Sequence, residues 1–148
     1  GLHGVVIVDP QNRANEPQSD VDQVIVLDDW LAPFGGAYNG HLLNGKSSLG
    51  QTPIVVQQGQ RLRLRFVNVA ATNNYVVALD GHAMTVTHSD GSRVQDTSVQ
   101  ALPIGIGERY DVIVDCNNPG TWSLAVASYL IARAERRRAQ EIAAAARE

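Results

Sequence analysis

The chain has 148 residues, of which 44% are hydrophobic, 18% charged and 5% aromatic, and its formal net charge is −3 at neutral pH. Twelve Lys and Arg against fifteen Asp and Glu leave no basic surplus to neutralise phosphates, so a nucleic-acid partner is not expected. The apolar runs fall far short of the ~20 residues of a membrane helix, and the single cysteine, Cys116, permits neither an intrachain disulfide nor a Cys-rich metal cluster. The expectation is a soluble domain with a real core, no membrane partner and an undetermined redox compartment.

Charge divides the chain. Residues 1–128 hold seven basic and twelve acidic side chains, whereas residues 129–148 hold five Arg and three Glu, placing a boundary near Ser128. In chain order, residues 5–9 (VVIVD) form a β-branched run that predicts a strand, and residues 11–20 are a polar, turn-rich linker. Residues 23–27 (QVIVL) predict a second strand. Residues 28–39, with Pro, Gly and aromatics, predict a loop packed on the core, and residues 41–44 and 54–56 are short strand candidates.

The clearest periodicity lies at residues 60–69 (QRLRLRFVNV), where Leu62, Leu64 and Phe66 share one face and Arg61, Arg63 and Arg65 the other. A period of two implies one buried and one solvated face. Further strands are predicted at residues 75–79, 84–88, 98–102, 109–116 and 121–127, with turns at Asp80-Gly81, Asp90-Gly91, Gly105/Gly107 and Pro119-Gly120. Strands at this spacing imply an all-β Greek-key sandwich or barrel. Residues 129–148 contain seven Ala and neither Gly nor Pro, which predicts a C-terminal α-helix. Its apolar stripe of Leu130, Ile131, Ala134 and Ile142 is thin, so it needs a partner surface, either the sandwich or another copy.

Four histidines, His3, His41, His82 and His88, are the natural candidates for a metal site, yet no two form a His-X-His pair. His82 and His88 flank one predicted strand six residues apart, with Met84 between them, and are the metal candidates; the alternative is two polar residues at strand ends. Cys116 shares its parity with Tyr110, Val112 and Val114, which places it on the inward face as a core filler. Asp28 and Asp29 point opposite ways from a strand end and read as a solvated edge rather than an acid/base dyad. Gly107 and Tyr110 have the spacing of a tyrosine corner, whose hydroxyl hydrogen-bonds back to the chain upstream. No residue is assigned a catalytic role; Gly107, Tyr110, Cys116 and Trp122 are assigned structural ones. The chain has no Gly-X-Ser-X-Gly elbow and no glycine-rich phosphate loop.

Leu43-Asn44-Gly45-Lys46, residues 54–69 (IVVQQGQRLRLRFVNV), Asp80-Gly81-His82, residues 85–91 (TVTHSDG), 107–112 (GERYDV) and 118–124 (NPGTWSL) follow one another in an order that is more specific than any one of them. Together they resemble the middle, plastocyanin-like (cupredoxin) domain of a laccase-type multicopper oxidase over about residues 22–127. Residues 1–10 are similar to the strand that closes the family's first domain. The resemblance therefore implies an exit strand and linker at 1–21 and a cupredoxin-like domain at 22–128, after which composition predicts the helical tail at 129–148.

The family couples one-electron oxidation of phenols, amines or metal ions to four-electron reduction of dioxygen. It uses a type 1 copper and a trinuclear cluster held by His-X-His and His-Cys-His motifs in the first and last domains, and it is commonly secreted or periplasmic. By this resemblance the chain itself holds no cofactor, and copper belongs to the parent enzyme. The middle domain is a spacer that partners the other cupredoxin domains and helps wall the substrate cleft. The helical tail departs from the family pattern. It leaves open an engineered scaffold that self-associates through the helix, and a copper-dependent oxidoreductase whose ligands assemble between chains.

Overall fold

The computed structural model describes residues 2–31, 38–129, 132–134, 136–138 and 140. Nine strands follow in order: β1 (Val21–Leu31), β2 (Tyr38–Leu43), β3 (Arg61–Asn68), β4 (Tyr75–Leu79), β5 (Met84–Ser89), β6 (Ser92–Val99), β7 (Leu102–Ile104), β8 (Arg109–Asp115) and β9 (Leu124–Ser128). They build a six-stranded sheet, β2-β1-β3-β8-β5-β6, and a three-stranded sheet, β7-β4-β9. β1 runs parallel to β3, in register from Val21–Leu62 to Leu27–Asn68, and the other pairings are antiparallel.

The alternation in β3 decides which way the large sheet faces. Leu62, Leu64 and Phe66 are buried together with Ile25 and Leu27 of β1, Met84 and Val86 of β5, and Val112 and Val114 of β8. Tyr75 and Val77 of β4 and Leu102 and Ile104 of β7 close this core from the small sheet. Each such aliphatic side chain contributes about 1.5–3 kcal/mol on burial, so the sandwich is held mainly by this one cluster.

β1 changes partners along its length. Val21–Leu27 pairs with β3, and Leu27–Leu31 pairs with β2 across an irregularity at Trp30 and Leu31. Where β2 has ended, Asn44 continues the ladder with its side chain: Val26 N–H donates to Oδ1 at 2.7 Å and Nδ2 donates to the Val24 carbonyl at 3.0 Å. Asn44 adopts φ 48°, a left-handed conformation that asparagine tolerates and most side chains do not.

Several expectations require correction. Residues 5–9 form no strand, because among the described residues their backbone meets no neighbouring strand, and a strand exists only through its partner's hydrogen bonds. Residues 54–56 are likewise outside any strand. Residues 98–102 straddle the corner between β6 and β7 instead of forming one element. The loop expected at 28–39 is strand up to Leu31 and again from Tyr38, and residues 32–37 lie outside the described ones. At the C-terminus, Tyr129 and residues 132–134, 136–138 and 140 are helical, as predicted. Of the expected apolar stripe, Ala134 is exposed, and Leu130, Ile131 and Ile142 lie outside the described residues.

Candidate functional site

His82 sits in the turn between β4 and β5, after Gly81 at φ 70°. Its Nδ1 lies 3.1 Å from the Asp80 carbonyl, which can only accept, so this nitrogen carries the proton. The ring meets Trp122 edge to face, with centroids 5.7 Å apart. Trp122 is fixed in turn by its own Nε1–H, which donates to the Asn118 carbonyl at 2.9 Å. His82 Nε2 is buried and, among the described residues, has no hydrogen-bond partner. Beside it, Gly81, Thr85, Ser98, Asp115, Asn117 and Asn118 line an open, shallow depression of about 390 Å³.

His88 lies at the other end of β5 and makes unrelated contacts. Its side chain is 8% exposed, with Nδ1 3.0 Å from Thr87 Oγ1 and Nε2 3.5 Å from Glu16 Oε1. Around it is a cluster of paired charges on the outer face of the large sheet. Arg63, also 8% exposed, contacts Asp111 Oδ2 at 2.5 Å and Glu16 Oε2 at 3.4 Å. Arg65 makes a two-pronged contact with Asp22, which stabilises the guanidinium charge. The arginine face of β3, expected to be solvated, is therefore largely covered: the linker carrying Glu16 folds across it. A buried guanidinium is tolerated there because each arginine meets a carboxylate.

Asp28 and Asp29, expected at a solvated edge, are both buried. Asp29 Oδ1 accepts from Ala71 N–H at 2.8 Å; Oδ2 accepts from the Thr72 and Asn73 amides, Thr72 Oγ1 and Asn73 Nδ2 at 2.7–3.0 Å. Burial alone would raise the Asp29 pKa, but the hydrogen bonds from Asn73, Ala71 and Thr72 outweigh it and hold the carboxyl below its ordinary range. With fixed donors on both oxygens, Asp29 is an anchor for the β3–β4 connection and not a proton carrier. Next to it, Tyr75 Oη donates to the Asp28 carbonyl at 2.8 Å and lies 3.1 Å from His41 Nδ1. Burial, followed by the charges of Asp29 and Asp28, pushes this phenol far above its ordinary pKa. His3 Nδ1 lies 3.8 Å from Asp28 Oδ2.

The hydroxyl bond expected of Tyr110 is not present among the described residues. Tyr110 is partly buried at the rim of the core, and Tyr75 makes the corresponding bond to a distant backbone carbonyl. The turn before β8 is closed instead by Glu108, whose carboxylate accepts from Gly105 N–H at 2.6 Å, with Gly107 at φ 81°. Cys116 is partly buried against the core, its Sγ 3.8 Å from the Val114 carbonyl. Burial pushes its thiol upward, the Asp115 charge adds to this, and a contact with the Leu62 backbone opposes it. A thiol so disposed is a poor nucleophile and a poor metal ligand.

The structure thus separates the sequence-predicted candidates. His82 belongs to the Trp122 turn, His88 to the charged cluster, Cys116 to the rim of the core, and Met84 is wholly buried. Among the described residues, no group of three or more His, Cys, Asp or Glu side chains converges as a metal site. Among the described residues, His82 Nε2 is the buried side-chain nitrogen left without a hydrogen-bond partner, and it belongs to no group of three or more such side chains.

The multicopper oxidase family model matches residues 14–147. The chain belongs to the multicopper oxidase family. It is 43% identical over 107 residues to multicopper oxidase MmcO of Mycobacterium tuberculosis, covering 70% of this chain and 20% of that protein. To a laccase of Pycnoporus cinnabarinus it is 33% identical over 139 residues, covering 80% of this chain and 26% of the relative. Among solved structures, the blue copper oxidase of Nitrosomonas europaea superposes with a TM-score of 0.73 at 28% identity, covering 83% of this chain and 42% of that one. The chain therefore spans only about a fifth to a quarter of the length of such curated multicopper oxidases, and its fold is the cupredoxin-like sandwich of that family.

Proposed function

We propose that this chain is the middle, copper-free cupredoxin-like domain of a laccase-type multicopper oxidase, a spacer that holds copper-bearing neighbours in register. In the parent enzyme the activity would be oxidation of phenolic or similar substrates coupled to reduction of dioxygen to water. The observation that carries this reading is that, apart from His82 with its unpartnered Nε2, the candidate donors are committed to the fold. Both nitrogens of His88 face Thr87 and Glu16, Met84 is in the core, and the Cys116 thiol is disfavoured as a thiolate.

The N-terminal segment supports the partner half of the reading. Leu2, Val5, Val6, Ile7 and Val8 are all exposed, Val6 and Val8 at 87%, and among the described residues no backbone hydrogen bond ties residues 2–10 to the sandwich. Five exposed apolar side chains in so short a β-branched run suit a strand that pairs elsewhere, and a preceding cupredoxin domain would supply the sheet.

Native mass spectrometry of the copper-loaded full chain tests both halves. A species carrying well under one copper per chain is the expected result. One tightly held copper per chain overturns the spacer reading. Copper found only in a multimer would point to ligands assembled between chains, and loss of that multimer when residues 129–148 are deleted would place the contact in the helical tail.

A further inference from the structure

Four strands end the two sheets, β2 and β6 the large one, β7 and β9 the small one. Natural sheet edges are guarded against further pairing by charge, proline, irregularity or short length. β6 carries the Arg93–Asp96 ion pair, and its pairing with β5 shifts register between Val86 and His88. β2 sits across the irregularity at Trp30 and Leu31, and β7 is three residues long with Pro103 at its centre. β9 (LAVAS) has none of these guards. It contains no charge, Pro or Gly, and its register with β4 runs unbroken from Leu79–Leu124 to Tyr75–Ser128.

Two flanking bonds fix which backbone groups of β9 are open. Tyr129 N–H donates to the Asn74 carbonyl, and Asp80 N–H donates to the Ser123 carbonyl. Bonded pairs alternate along an antiparallel ladder, so Ala125 and Ala127 bond β4, while the N–H and C=O groups of Leu124, Val126 and Ser128 point to the outer edge. Leu124 and Val126 are also only partly buried where they pack on the core. Three strands face six in this sandwich, and a strand laid beside β9 would take up those backbone groups and close that flank of the core.

The same chain carries a segment of matching kind. Val5 and Ile7 are 37% and 46% exposed, Val6 and Val8 87%, and among the described residues their backbone bonds to no strand. This segment is kept away from β9 of its own chain. His3 lies 3.8 Å from Asp28 of β1, Glu16 lies 3.4 Å from Arg63 of β3, and Asp20 N–H bonds the Arg61 carbonyl, ties that hold it to the large sheet, across the core from β9. We propose that the outer edge of β9 is a strand-accepting interface, occupied by residues 5–8 of a second copy of this chain, each copy giving and receiving one strand. A run apolar on both faces suits the place: its inner side chains meet Leu124 and Val126, and its outer ones lie beside the small Ala125 and Ala127. A preceding domain that pairs with residues 5–8 would compete for the same strand, and the exchange does not depend on whether copper binds.

Sedimentation velocity of the metal-free full chain reads the exchange as mass, and hydrogen exchange locates it. At about 200 μM the chain is expected to sediment as a dimer, with the Leu124, Val126 and Ser128 amides protected about tenfold more than at about 5 μM, while amides of β3 and β8 do not change. Val126→Pro removes one outward N–H and no bond to β4, and Val6→Lys puts a charge in the incoming strand; each should leave a monomer. A wild-type monomer at about 200 μM overturns the proposal, and so does a dimer whose β9 amides ignore concentration. A dimer unchanged by Val6→Lys also overturns it, because the contact then lies elsewhere, the helical tail included. Should Val126→Pro unfold the sandwich, Val6→Lys still decides, since Val6 is 87% exposed and outside both sheets.

Discussion

Replacing Asp29 probes the polar half of this fold most directly. In Asp29→Asn the size is kept, but whichever way the amide is turned, one of its ends presents N–H groups to donors: the Ala71 amide on one side, or the Thr72 and Asn73 groups on the other. With the amide oxygen on the Oδ2 side, one hydrogen bond is lost outright, and the remaining ones lose their ionic acceptor. A hydrogen bond to a charged group contributes about 1.5–3 kcal/mol, so a loss of about 2–3 kcal/mol is expected for Asp29→Asn and about 3–4 kcal/mol for Asp29→Ala, where no acceptor remains. Urea unfolding followed by the fluorescence of Trp30 and Trp122 measures both. The pH dependence follows from the direction of the shift. A carboxyl whose folded pKa is depressed contributes its full stabilisation above the ordinary value of 3.8 and loses it as pH falls through the lower folded value. The gap between wild type and Asp29→Asn should therefore stay flat from pH 8 to about 4 and narrow only below that. A gap under about 0.5 kcal/mol at pH 7 would refute the anchoring argument, because surface substitutions alone reach that size.

Two comparisons test the corrected roles of other residues. Tyr75→Phe, which strips a buried carbonyl of Asp28 of its donor, should cost about 1–2 kcal/mol in the same urea assay, whereas Tyr110→Phe should stay within about 0.5 kcal/mol. The reverse ranking would restore the corner to Tyr110. At Gly81 a Cβ would come within 2.9 Å of the Trp122 ring at φ 70°, while Gly91 has a similar φ of 82° and open space around it. Gly91→Ala then measures backbone strain alone, about 1 kcal/mol, and Gly81→Ala should exceed it by a further 1–2 kcal/mol with a shift in Trp122 emission. Equal losses at the two glycines would show that Trp122 yields without cost.

What could be read from the sequence was what repeats locally. The β3 alternation, the exact extent of β4, the turns at Asp80-Gly81 and Asp90-Gly91 and the helical character of the tail follow from period, turn chemistry and propensity. β6 was misplaced because an edge strand exposed on both faces carries no hydrophobic period. The buried charges escaped for a different reason. Arg63 meets Glu16 and Asp111 across 47 and 48 residues of chain, and Asp29 meets Thr72 across 43, so nothing near these residues in sequence announces their burial. A row of arginines reads as solvent-facing until the element that covers it is known. The candidate donors were legible as residue types, but their separation is a property of the assembled sandwich: His82 and His88 lie at opposite ends of β5 and take partners from different elements.

The divided pairing of β1 has a mechanical consequence. A pull on the chain ahead of Asp20 runs along β1, and the whole parallel register from Val21–Leu62 to Leu27–Asn68 lies in line with it. Those hydrogen bonds are loaded in shear and must fail together, whereas a hairpin pulled from its open end peels one pair at a time. Beyond Leu27 the same strand is clamped by β2 on its other side, so tension entering at the linker is passed to both flanks of the large sheet. The domain is hardest to extend along the axis of its incoming strand.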